Sequence, residues 1–169
     1  MSAARLEAAI ANLQQVRNYT HDLLEHTDEA DWFRSAGDQV THIGWQVGHL
    51  AICERVLLMK RIRGEQAGDA DLLPADFQDL FGKGSTPVMQ ADAYPPPQAL
   101  RAALERVHEA AMATVQALDP ALLDEPTVGP EHRMFTTKWG ALQWAVQHEY
   151  LHAGQIGLLR RQLGNTWLR

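Results

Sequence analysis

His148-Glu149-Tyr150-Leu151-His152 sets two imidazoles four residues apart, with a carboxylate directly after the first. In a helix, side chains four apart differ by about 40° around the axis and roughly 6 Å along it, so both rings can converge on one divalent ion. Two ligands do not complete a site. Zinc metalloproteases with this spacing take their third ligand from downstream, and their extended form would need a histidine where this chain has Leu158. The 17 residues after His152 contain no Asp, Glu, His or Cys, so a third protein ligand must come from upstream. His49, in Gly44-Trp45-Gln46-Val47-Gly48-His49-Leu50-Ala51, is the candidate. A lone histidine on an apolar helix face is more often a hydrogen-bonded core residue. The His148/His152 pair is what raises the chelating reading above that one.

Helical geometry names the neighbours. Gln155 falls within about 20° of His148, and Trp45, His42 and Cys53 share a broad face with His49. Glu149 and Gln155 are the candidates for catalytic side chains; Trp45, His42 and Cys53 are the candidates for a substrate pocket. Glu149 would act as general base on a metal-activated water, yet it points about 80° from the mean direction of the two histidines, which equally fits a supporting or surface carboxylate. The His49-x-x-x-Cys53 spacing can also chelate, although an isolated cysteine is more commonly a small buried apolar residue. His21, His26, His108 and His132 fall on helix ends or polar stretches, where solvent exposure accounts for them. Three neutral imidazoles with no carboxylate leave an ion most of its charge and open positions for water or substrate. Zinc and nickel suit such ligands, and iron is also compatible.

The positioning elements are helical. Leu6, Ile10, Leu13, Val16 and Leu24, with Glu7, Gln14, Arg17 and Asp22 between them, predict an amphipathic helix over about 3–26. The polar stretch to Gln39 ends it, and Thr41 reads as the N-cap of a second helix that stops at Gly64. Residues 64–97 are irregular and rich in proline and glycine, with Phe77, Leu80 and Phe81 expected to pin this long loop to the helices. The Gly82-Lys83-Gly84-Ser85-Thr86 run lacks the order of a phosphate-binding loop, and no strand precedes it. A third helix closes at Asp119-Pro120, and Thr136 or Thr137 caps a fourth over about 138–163. The fold class is therefore all-α: a four-helix bundle, in one domain spanning 1–169, with a long loop between helices two and three.

Composition narrows the function. With 21 acidic against 15 basic side chains and a formal net charge of −6, the chain offers no basic field for nucleic acid. No apolar run approaches a membrane span and the N-terminus lacks a signal peptide's apolar core. The single cysteine, Cys53, forms no internal disulfide, so a cytoplasmic protein is expected.

The Ile43-Gly44-Trp45 and Gly48-His49-Leu50-Ala51 run, together with His148-Glu149-x-x-His152-Ala153-Gly154-Gln155-Ile156, resembles the two signature regions of the DinB-like superfamily. The Phe81-Gly82-x-Gly84-Ser85 loop and Tyr94-Pro95 extend the likeness over nearly the whole chain. The resemblance implies a four-helix bundle, often a homodimer, with a divalent metal on His49, His148 and His152. Relatives of this kind include transferases and isomerases that use bacillithiol, mycothiol or glutathione, and the metal-binding domain of sulfoxide synthases, whose additional C-terminal domain has no counterpart here. The expected function is metal activation of a low-molecular-weight thiol or water for transfer to a small electrophile. The alternative is a non-catalytic metal-binding stress-response or interaction module.

Overall fold

The computed structural model describes residues 2–37 and 41–168; the end of the polar stretch expected before Thr41 lies outside them. The described residues are helical, with no strand among them and only isolated bridges at Pro126–Thr137 and His132–Phe135. Helix α1 spans Ser2–Glu25. Helix α2, Ile43–Glu54, runs without a break through a π-helical segment, Arg55–Lys60, into a closing turn, Arg61–Arg63. A short helix, α3, covers Phe77–Phe81, and two long ones follow: α4, Pro97–Gln116, and α5, Lys138–Gln162.

The termini follow local chemistry. Thr137 caps α5 by accepting the Gly140 amide, and Pro97 starts α4, where a missing N–H costs nothing. Gly64 ends the α2 run at φ +83°, a conformation that a side chain would strain. The expected Thr41 cap is corrected: His42 is the N-cap of α2, its Nδ1 accepting the Trp45 amide at 3.0 Å. An imidazole nitrogen serves as well as a hydroxyl oxygen here because the requirement is a lone pair one turn ahead of an orphan amide.

Helix α1 packs on α5, and α2 touches α3, α4 and α5. Leu50, Val47, Leu104 and Ile156 sit in one core cluster with Trp32 and Phe81; Leu13, Leu58, Val115 and Leu142 form the other. The long connection expected to be irregular contains α3 and single turns at Asp69–Leu72 and Ala91–Ala93. Five residues cannot sustain a helix alone. Phe77 and Phe81 supply the missing stabilisation: both are buried in the main core, at roughly 1.5–3 kcal/mol each. The Phe81 ring lies where a Cβ on residue 48 would project, so Gly48 is what lets α3 approach the middle of α2.

Candidate metal centre

His49 projects from the middle of α2 and His148 and His152 from successive turns of α5, and the three rings meet where these helices touch. Ring centroids stand 5.5 Å apart for His49–His148, 4.9 Å for His49–His152 and 4.4 Å for His148–His152. The Nε2 atoms of His148 and His152 face each other at 3.2 Å. Two lone pairs cannot share that space without a proton or a cation between them. Nitrogens bound to one zinc at ~2.1 Å in tetrahedral geometry lie about 3.4 Å apart, so the observed separation fits a shared ion.

The opposite faces of two rings are fixed. His49 Nδ1 donates to the Phe81 carbonyl at 2.8 Å, and His152 Nδ1 donates to Gln46 Oε1, which leaves both Nε2 lone pairs turned inward. Such outward hydrogen bonds set the tautomer and orientation of metal-binding histidines. Burial, followed by the neighbouring imidazoles, lowers His148 to about 4 and His152 to about 3; burial also lowers His49. All three are therefore neutral at pH 7, the form that binds metal.

Cys53, one turn beyond His49, brings Sγ to 3.3 Å from His49 Nε2. His49, Cys53 and His148 form a group whose ligand atoms all lie within 4.8 Å of one another. Burial pushes the Cys53 thiol up to about 12, so without an ion it is protonated and donates to His49. Trp45 stacks on the His49 ring at 4.7 Å and 11°, its Nε1 donating to Ser85 Oγ at 2.9 Å. His49, His148 and Cys53 open on a cavity of about 610 Å³ that Ile52, Val56, Leu57, Met134 and Trp144 line on its apolar side; His152 and Trp45 lie outside its lining. A larger groove of about 930 Å³, between the π-helical segment and α4, is remote from the histidines.

Other expected site residues lie elsewhere. His42 is fully buried between Phe33 and Tyr94 as a helix cap and does not line the cavity. Gln155 is exposed and outside the cavity lining as well. Glu149 is buried, and both of its oxygens accept from Arg17, at 2.8 and 3.0 Å, while Thr20 also donates to one of them. A carboxylate so engaged is a structural anchor rather than a base facing the ion. His108 is also corrected, being buried and 2.7 Å from Glu54 Oε1 instead of exposed.

Spacing alone missed Gln46, His132 and the ionic cluster under the site. Gln46 is a buried amide among apolar positions of α2, one turn before His49, and that misplaced polarity was its signal. Replacing it with leucine frees the His152 ring and is expected to weaken metal binding about 10–100-fold while the helix content is kept. Competition titration against a chromophoric chelator measures this, and an affinity unchanged from wild type would remove Gln46 from the site.

A family model of the DinB superfamily matches residues 12–156. The chain belongs to the DinB superfamily. Within this DinB-superfamily chain the match spans His49, His148 and His152, the residues that meet in the structure. Among curated proteins, no match to the chain is found.

Proposed function

We propose that this DinB-superfamily chain is a metal-dependent enzyme, a four-helix bundle in which a divalent ion on His49, His148 and His152 activates a small thiol or water for transfer to a small electrophile. The observation that carries this reading is the close approach of three neutral imidazoles beside an open cavity that His49 and His148 line, with His49 and His152 locked from behind by Phe81 O and Gln46. When bound, the ion supplies positive charge that lowers the pKa of a coordinated thiol or water. The chain's own residues do the rest. Trp45 and Trp144 hold His49 and His148 by ring contact, and the apolar wall of Ile52, Val56 and Met134 excludes water from the reacting end. Glu149, being anchored to Arg17, is assigned no proton transfer.

Cobalt substitution tests the reading. Adding bacillithiol, mycothiol or glutathione is expected to produce a sulfur-to-metal charge-transfer band for at least one thiol, followed by turnover of a reactive electrophile that His49→Ala abolishes. A spectrum unchanged by every thiol, with no electrophile consumed, would end the thiol-transferase reading and leave a metal-activated water or a non-catalytic binding module.

A homodimer is part of the same proposal. Leu151, Leu158 and Tyr150 are exposed on α5, with Trp167 just beyond it. Two other tryptophans, both on α5, are not free for such a contact: Trp139 is covered by the Arg5 guanidinium at 4.6 Å and Trp144 lines the cavity. Light scattering at micromolar concentration is expected to give twice the chain mass of 18.9 kDa, and Leu151→Glu to halve it. A wild-type monomer throughout that range would end the dimer proposal.

A further inference from the structure

The cavity carries a charge pattern that activation of a thiol or water does not explain. Arg61, Lys83 and Arg133 line it together with His132, and no Asp or Glu does, although the chain as a whole is acidic. These cations come from three separate segments: the closing turn of the α2 run, the stretch after α3 and the connection before α5. Elsewhere among the described residues Arg17, Arg55, Lys60, Arg63 and Lys138 each sit against a carboxylate, while Arg101, Arg106, Arg160 and Arg161 do not; what sets Arg61, Lys83 and Arg133 apart is that they share one cavity. Among the described residues Arg61, Lys83 and Arg133 have no carboxylate within 4.0 Å, so their charge is left for something else. Arg61 is partly committed, donating from Nη1 to the carbonyls of Val128 and Pro130, with its guanidinium over the Phe135 ring. His132 accepts the Met134 amide on Nδ1, so its Nε2 carries the proton as a further donor. Burial lowers the His132 imidazole, and so do Arg61, Arg133 and Lys83, showing that the three charges act on one place.

We infer that the cavity recognises its small-molecule partner through an oxyanion group, a carboxylate or phosphate, held by Lys83, Arg133 and Arg61 beside His132 while the reacting atom lies at the histidines. The inference rests on the metal-site reading above for where the reacting atom goes. Arginine and lysine around a partly enclosed, carboxylate-free cavity attract an anion and orient it by charge-assisted hydrogen bonds. The apolar residues beside them leave the linking carbon skeleton in contact with Ile52, Val56 and Met134.

Three thiols that differ in charge test this on the cobalt-substituted protein: 3-mercaptopropionate, 2-mercaptoethanol and cysteamine. The acid is expected to bind at least about tenfold more tightly than the alcohol, and the amine more weakly than either. In the Lys83→Gln/Arg133→Gln double variant the acid and alcohol should come within about twofold, with cobalt stoichiometry unchanged. Arg61 is left in place because it also holds the 128–130 backbone. A second arm titrates propionate, which has the anion and no sulfur, into the metal-free protein and follows the His132 ring by NMR. A shift in wild type that the double variant loses supports the anion site even if no thiol gives a cobalt band, an outcome that would defeat only the thiol reading. Equal affinity for all three thiols would overturn the anion site and leave the thiol reading standing.

Discussion

Replacing either His148 or His152 with alanine is expected to abolish stoichiometric metal binding, from about one divalent ion per chain in protein purified without an affinity tag to none. Each change removes one of three imidazoles whose ring centroids stand within 5.5 Å, and two nitrogens beside a Cys53 thiol that burial keeps protonated do not hold a divalent ion against water at neutral pH. His49→Ala is expected to do the same, since α2 carries no other imidazole to the His148/His152 pair. Full occupancy surviving in the His148 and His152 variants would end the assignment, and survival in the His49 variant alone would move the third ligand elsewhere. The pH dependence has a definite sign. The folded imidazoles of His148 and His152 lie near 4 and 3, below their ordinary value of 6.5. Protons therefore compete little with the ion at pH 7, and binding is expected to fall as the pH drops below 6.5, through His49 first and then through His148 and His152 near 4 and 3. The metal-free fold meanwhile loses stability as pH falls from 6.5 through 4, because unfolded imidazoles accept protons that the folded ones refuse. Thermal unfolding across that window reads the effect.

The second large effect is at Arg17, which is 1 % exposed and bridges Glu54 on α2 to Glu149 on α5. Burial alone would raise the Glu54 carboxyl, but Arg17 and then His108 hold it below its ordinary value. Arg17→Met strands two buried carboxylates and is expected to cost roughly 3–5 kcal/mol in urea unfolding. The triple variant Arg17→Met/Glu54→Gln/Glu149→Gln should recover much of that, because isosteric amides carry no charge to leave unpaired. A single variant within about 1 kcal/mol of wild type would show that water reaches the cluster. The ionic cluster also bears on the site. Glu54 follows Cys53 and Glu149 follows His148, so Arg17 ties together the two ligand-bearing helices from outside the cavity lining.

How much of this could be read from the chain differs by element. The helices expected over 3–26 and 138–163 are Ser2–Glu25 and Lys138–Gln162, because apolar spacing and a threonine cap are local signals. The meeting of His49 with His148 and His152 was legible as well, since few other residues could complete the pair. Arg17, by contrast, read as part of the polar face of α1 and is buried. Spacing gives the phase of a side chain on its own helix; whether a carboxylate waits on the next helix is settled only when helices pair. His108 was misplaced for the same reason and His42 because it caps α2, while Glu149 takes the supporting role that its direction had left open. The π-helical segment Arg55–Lys60 was hidden too: it breaks the regular 100° step per residue, and Lys60 lies outside, pairing with Glu65.

The hydrogen bond from His49 to the Phe81 carbonyl ties the 64–96 connection to the site as one thermodynamic unit. If seating α3 against Gly48 orients the His49 ring for an ion, then the ion must in turn favour the seated α3 by the same factor, because coupling between two equilibria is reciprocal. Metal occupancy is then reported at a distance, in the protection of the Phe77–Phe81 amides from hydrogen exchange. Whatever loosens that short helix weakens the site without touching a ligand.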